Sequence, residues 1–355
     1  MEQRTHSVAG PARDSSPAAA MGRLSLLDGL RGIAAIGVLL YHMRNVFGVA
    51  EIFSRSYLFV DVFFVLSGFV LTLAAERKME ERGAVWFMEV RVKRLWPMIA
   101  LGSVVGALGA VTLGEADPVP ALLVLALAGI PILWREGSLF PLNGPQWSLF
   151  WEIVANVAHV LVLRRLSDRT LLFVAAFFGV AFEAAIWKYG SDTFGPNQQL
   201  WWLAGARVGW SYTIGIWMAL RYQRGFGKQL VPWWFALALP VALIVAVPLL
   251  PWHAAVGDAL VAIVLLPPLF WLVATATPAQ AAVPWLDRLG ALSFPLYAVH
   301  LPIMVAFLAY GSSVAIAAIA TVTSLSVAAL VTWAAPLAKD LRRRLVQQTA
   351  PAPLA

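Results

Sequence analysis

Residues 27–47, LDGLRGIAAIGVLLYHMRNVF, decide how this chain is read. The stretch is apolar enough to enter a bilayer, yet it carries Arg31 and His42. At about 100° per residue, the step from Arg31 to His42 is close to three full turns, so both side chains lie on one helix face. Along the axis they stand roughly 16 Å apart, at about 1.5 Å per residue. An ionisable side chain inside a membrane span is costly and is a functional-site hypothesis by default.

The rest of the chain agrees with a membrane setting. Of 355 residues, 60% are hydrophobic and only 13% are charged, which places it among integral membrane proteins. The absence of Cys excludes disulfides, thiolate metal sites and a cysteine nucleophile. None of the five His stands at ligand spacing from another, so no metal is expected. The net charge of +7 does not indicate nucleic acid, because the basic residues sit in short loops between apolar runs. There is no Gly-rich phosphate loop and no GxSxG elbow.

Apolar runs long enough for a hydrocarbon core of about 30 Å fall at 30–48, 57–75, 95–114, 147–163, 170–187, 199–220, 231–250, 256–275, 289–310 and 313–335. Basic clusters (Arg77 to Arg94, Arg164 to Arg169, Arg221 to Lys228, Lys339 to Arg344) alternate with acidic or neutral connections holding Glu51, Glu115 with Asp117, and Asp192. Placing the basic clusters in the cytoplasm predicts an all-α bundle of ten spans in the cytoplasmic membrane, both termini inside. That count requires the run 119–134, which holds Pro120 and Pro131, to be a short re-entrant or interfacial segment. Residues 1–22 and 346–355 are expected to be disordered tails around one bundle, 23–345.

Counting from the cytoplasmic end of each span, His42, Asp61, Glu152, Arg207 and His300 all fall roughly 16–21 Å up at about 1.5 Å per residue. Each has an ordinary explanation. His300 reads equally well as a hydrogen-bonded structural residue. Asp61 or Glu152 can pair with Arg207 to hold helices together. Ser67 with Gly68 reads as a close helix contact, and Trp147 as an interfacial anchor. Arg91 and Arg94 read as orientation charges. The convergence of the set at one depth points beyond those explanations.

Arg91 and Arg94 stand at i and i+3, facing one way, and arginine suits bidentate phosphate contacts. With Arg31 they would form a cytoplasmic mouth for a polyphosphate, with His42 roughly 16 Å further in. A charged head on a long thin arm describes acyl-coenzyme A. Its phosphates would stay at Arg31, Arg91 and Arg94 while the thioester reaches His42. Neutral His42 would then take the proton of an acceptor hydroxyl, with Asp61 or Glu152 orienting the imidazole. Ser67, Trp147, Arg207 and His300 would face the substrates, with Ser67, Trp147 or Arg207 as donors to the oxyanion. A covalent acyl-His intermediate is equally compatible with these residues.

The motifs, taken in order, resemble the membrane acyltransferase 3 family. They are LDGLRGIAAIGVLLYH (Arg31, His42), FVDVFFVLSGFVL (Asp61, Ser67, Gly68), RVKRLWP (Arg91, Arg94), QWSLFWE (Trp147, Ser148, Glu152) and LSFPLYAVHLPI (Ser293, Tyr297, His300). The resemblance spans most of residues 24–335. It implies ten spans, acyl-CoA taken from the cytoplasm, and His-dependent transfer to a hydroxyl of a carbohydrate or glycosylated acceptor. Acetyl is the commonest acyl group by that resemblance, and the chain is expected to be the stand-alone form without an SGNH-type esterase domain. The competing class is a transporter or flippase of a lipid-linked glycan or polyol, with the midplane charges lining its path. Repeated halves with matching interrupted helices, which would favour it, are not found in the sequence.

Overall fold

The computed structural model describes residues 17–115, 117–190, 194–249 and 254–349. Most of the expected N-terminal tail, the last six residues and Asp192 lie outside the described residues. Every expected apolar run becomes helix. The order is α1 (Pro17–Phe47), α2 (Phe59–Ala74), α3 (Glu76–Leu113), α4 (Val119–Leu127), α5 (Gln146–Leu161), α6 (Asp168–Tyr189), α7 (Ala204–Gln223), α8 (Trp233–Ala246), α9 (Ala254–Ala259), α10 (Leu266–Thr275), α11 (Val283–Phe307) and α12 (Val314–Thr349). A π-helical stretch, Leu260–Leu265, joins α9 to α10. Helix α1 begins inside the stretch expected as tail.

Eight helical segments among the described residues are long and apolar enough to cross a membrane. Two of the ten expected runs are not among them, for different reasons. Helix α7 has 20 residues but carries buried Arg207, Ser211, Tyr212 and Thr213, which lower its apolar character. Helix α8 with its following turn, Trp233–Leu249, is apolar but short.

The basic stretch after α2 is not a loop. It is helical from Glu76, with one break at Gly83, whose φ of +85° is a conformation glycine adopts freely. Beyond the break Arg91 and Arg94 ride on α3 itself, so both guanidiniums are fixed to a spanning helix.

Helix α4, nine residues long, is far too short to cross at about 1.5 Å per residue. Asp117 and Arg135, which bracket it, pair at 2.7 Å. Between them the chain reaches Trp96 of α3, whose indole N–H donates to the Leu127 carbonyl at 3.1 Å. The segment therefore packs beside α3, and its two ends meet.

The core is built around α1 against α11 and α2 against α7. The second pair touches backbone to backbone. A Cβ at Gly68 would lie 2.1 Å from the Tyr212 carbonyl oxygen, and one at Gly215 would lie 2.3 Å from that of Val65. Gly68 is thus the packing residue of the LSGF motif, which leaves Ser67 turned to another neighbour.

Candidate functional site

Arg31, Arg91 and Arg94 line one cavity of about 110 Å³, although they come from α1 and α3. Polar Ser67, Ser148, Glu152, Ser293 and Tyr297 share its wall with apolar residues of α2. Along α2 the lining runs from Leu71 to Val60, about 16 Å at 1.5 Å per residue. That is about the length of the Arg31-to-His42 step on α1, so the cavity is an elongated slot along α2.

Each arginine at the mouth is held differently. Arg31 Nε donates to Ser293 Oγ at 3.0 Å. One Arg31 Nη donates to the Gly290 carbonyl at 3.2 Å and pairs with Asp28 at 2.7 Å. Ser293 closes this contact by donating to the same carbonyl at 2.6 Å. Arg91 is buried and donates to Glu152 Oε1. Ser67 donates to that oxygen at 2.8 Å. Arg91 Nε is buried with no hydrogen-bond partner among the described residues. Arg94 is exposed and lies in the field of Arg91, Arg31, Glu152 and Asp28. No carboxylate among the described residues is hydrogen-bonded to it. Two of the three guanidiniums are paired with carboxylates, Arg31 with Asp28 and Arg91 with Glu152, so the mouth keeps a net positive charge through Arg94.

At the inner end, Ser148 commits its only hydrogen to the Pro145 carbonyl at 2.9 Å, so Tyr297 is the donor in their 2.6 Å contact. The Tyr297 ring lies 5.3 Å from Phe63 and 5.9 Å from His300. The His300 ring lies 5.1 Å from that of His42. His42 is half-buried and also meets Tyr41 edge-on at 5.1 Å. The slot thus points from a cationic mouth to a pair of imidazoles.

Residues 24–336 match a family described as an acyltransferase domain. The chain belongs to the acyltransferase 3 family. It is 34% identical over 184 residues to protein 2 of the picA locus of Rhizobium radiobacter, covering 46% of this chain and 94% of that protein. It is 36% identical over 76 residues to the O-acetyltransferase OatA of Staphylococcus aureus (strain NCTC 8325 / PS 47), covering 21% of this chain and 12% of that one. No solved structure matches the chain. With eight membrane-length helices, this acyltransferase is an integral membrane protein.

The acyltransferase's expected site residues divide into two groups. Arg31, Ser67, Arg91, Arg94 and Glu152 line the slot, and His42 with His300 lies beyond its inner end. Asp61, Arg207 and Trp147 form a separate, sealed cluster. Arg207 donates to both Asp61 oxygens, at 3.0 and 2.7 Å, and to the Tyr57 carbonyl at 3.1 Å. Ser211 donates to Asp61 at 3.1 Å. The Arg207 guanidinium lies 5.9 Å from the centre of the Trp147 ring. Trp147 is buried among the helices and packs against Arg207. Neither Asp61 nor Glu152 is hydrogen-bonded to His42. Both carboxylates are taken by arginines, because a charge buried without a partner costs several kcal/mol, on the order of the penalties known for buried ions.

One buried acid was not singled out by its sequence. Asp258 accepts from Tyr57 at 2.7 Å and from Arg55 at 3.2 Å. Its signal was an aspartate entering the apolar run 256–275, beside the π-helical stretch. Among the described residues, no three His, Asp or Glu side chains converge as a metal site.

Proposed function

We infer that the chain is a ten-span O-acyltransferase that moves an acyl group, in the first instance acetyl, from cytoplasmic acyl-CoA to a hydroxyl of a carbohydrate or glycosylated acceptor. The observation that carries this is the slot, cationic at one end and two imidazoles beyond the other, with a length that suits a pantetheine arm. The two further spans are α7 and α8. Both termini and the mouth face the cytoplasm, in accord with the basic clusters.

Arg31, Arg91 and Arg94 hold the donor phosphates. Glu152 keeps Arg91 and Ser67 in place along the slot. Neutral His42 takes the acceptor O–H proton as the oxygen attacks the thioester carbon. The new C–O bond forms, the C–S bond breaks, and the departing thiolate takes that proton from the imidazolium. Asp61, Arg207 and Trp147 act structurally, fixing α2 against α7 beside the slot. The family and its O-acetyltransferase relative support the reaction class.

The test is His42→Ala in membranes given radiolabelled acetyl-CoA. Label transfer is expected to fall by about two to four orders of magnitude, the usual weight of a general base. Transfer at the wild-type rate would remove His42 from the reaction. Reporter fusions in the connection 51–56 and at Arg82 are expected to report opposite sides. A shared side would overturn the orientation.

A further inference from the structure

His42 lacks the carboxylate that ordinarily fixes a catalytic imidazole, and the structure offers one other candidate. His300 is fully buried on α11, one turn beyond Tyr297 of the slot wall. Its Nδ1 lies 3.0 Å from the Leu296 carbonyl oxygen. A carbonyl oxygen only accepts, so Nδ1 carries the hydrogen. The neutral ring therefore presents a bare lone pair at Nε2. That atom is buried with no hydrogen-bond partner among the described residues. A sealed acceptor without a donor is costly, and such exceptions call for an explanation.

The nearest ring is His42. Its centre is 5.1 Å away with the planes tilted by 42°, a separation that leaves about one N–H···N hydrogen-bond length between facing ring nitrogens. The imidazole χ2 torsion is broad and soft, so turning one nitrogen toward the other costs little.

We propose that His300 is the positioning residue of the His42 base: its Nε2 accepts a hydrogen bond from one nitrogen of His42 and thereby leaves the other bare for the acceptor hydroxyl. The inference rests on His42 being the base. It puts an imidazole where a triad has a carboxylate. A neutral imidazole suits this depth, because it fixes the tautomer without burying another negative charge. His300 stays neutral throughout. The acceptor proton goes to His42 and leaves on the CoA thiol, and the His42 imidazolium is stabilised meanwhile by the same bond. The backbone already does half the work, because the Leu296 carbonyl determines which His300 nitrogen is bare.

Two amides separate this role from simple packing. In His300→Asn the side-chain amide takes the place of Nδ1 and leaves the Nε2 position vacant. In His300→Gln the amide oxygen reaches the Nε2 position and restores an acceptor. Both are measured against saturating and limiting radiolabelled acetyl-CoA in membranes, normalised to the amount of folded chain, beside His42→Ala. His300→Asn is expected to lower kcat at least a hundredfold with the acetyl-CoA KM within about threefold of wild type, in line with losses seen when a tautomer is left unset. His300→Gln is expected to recover at least tenfold of that. Equal rates in the two variants, a wild-type rate in His300→Asn, or an effect confined to KM would overturn the proposal. A His42→Ala variant that retains transfer would instead sink the reading on which it rests.

Discussion

Asp61 and Glu152 are both carboxylates on membrane-length helices, and each is bound by an arginine. They differ in what surrounds the pair. The Asp61 and Arg207 side chains are 0% and 2% exposed, and neither leaves a buried polar atom without a partner among the described residues. Glu152 is 17% exposed on the wall of the slot, and its partner Arg91 keeps a buried Nε without a partner. The first pair is closed and satisfied. The second is open and incomplete. In a bilayer a buried charge is by default a mark of function, and the contrast refines that rule: the informative charge is the one whose hydrogen bonding is unfinished and faces a cavity.

The largest effect expected from this contrast is on stability. Asp61→Ala or Arg207→Ala leaves one buried charge unpaired and is expected to cost roughly 3–5 kcal/mol, read as a lowered melting temperature of the detergent-solubilised protein. Replacing the pair together, Asp61→Leu with Arg207→Met, is expected to restore the melting temperature and keep acyl transfer, because apolar replacements of a whole buried pair are often neutral. A double variant that folds but transfers nothing would break the contrast and bring Asp61 into the chemistry.

Glu152→Gln is expected to do the reverse. The amide oxygen can still accept from Ser67 and Arg91, which share one oxygen of Glu152, so the bundle stays folded, but Arg91 loses the negative charge that anchors it. Transfer is expected to drop about tenfold to a hundredfold, the order of loss that follows from misplacing a positioning group. Wild-type turnover in Glu152→Gln would make the open pair as structural as the closed one. Arg94→Ala should be milder. Its guanidinium is exposed and supports no other residue, so removing it is expected to raise the acyl-CoA KM by about tenfold, from one charged hydrogen bond of roughly 1.5–3 kcal/mol, with kcat unchanged. An unchanged KM would remove Arg94 from the donor site.

The same two pairs show what a sequence can disclose. The Arg31-to-His42 spacing and the facing of Arg91 and Arg94 lie within single helices, where geometry follows from residue number. Depth counted along each span put Asp61, Glu152 and Arg207 at one level; Asp61 and Arg207 do meet, but Glu152 lies against Ser67, six residues or about 9 Å along α2 from Asp61. Rotation about each helix axis was not legible. Arg207 is 146 positions from Asp61, and Arg91 is 61 from Glu152. Only the packing of α2 on α7 and of α3 beside α5 decides which acid meets which arginine. Depth alone therefore allowed either acid to pair with Arg207 and either to serve His42. The run that becomes α7 was legible at 199–220, yet its buried face carries Arg207, Ser211, Tyr212 and Thr213, and that interior polarity keeps it out of the eight helices apolar enough to cross a membrane. Ser293 and Tyr297 were visible as parts of a motif, but their partners, Arg31 and Ser148, became evident only in three dimensions.

A third ion pair supplies the control. Asp117 and Arg135 bracket the α4 segment and make two hydrogen bonds, at 2.7 and 2.8 Å, each side chain more than a third exposed. Those bonds from Arg135 hold the Asp117 carboxyl below its ordinary range. A carboxyl lowered by folding stabilises the fold above its unfolded value, near 3.9, and that support is lost as pH falls through the lowered folded value. Exposed pairs are also screened by salt and contribute little. Asp117→Asn is therefore expected to lower the melting temperature slightly at pH 7 and low salt. The gap to wild type should narrow as salt is raised and close as pH drops through the carboxylate range, with transfer at pH 7 unaffected. A gap that persists in acid and high salt would mean that the pair acts by holding the shape of the α4 segment and not by charge. That would place an exposed pair in the same structural class as Asp61 with Arg207, and burial would no longer be what separates the pairs.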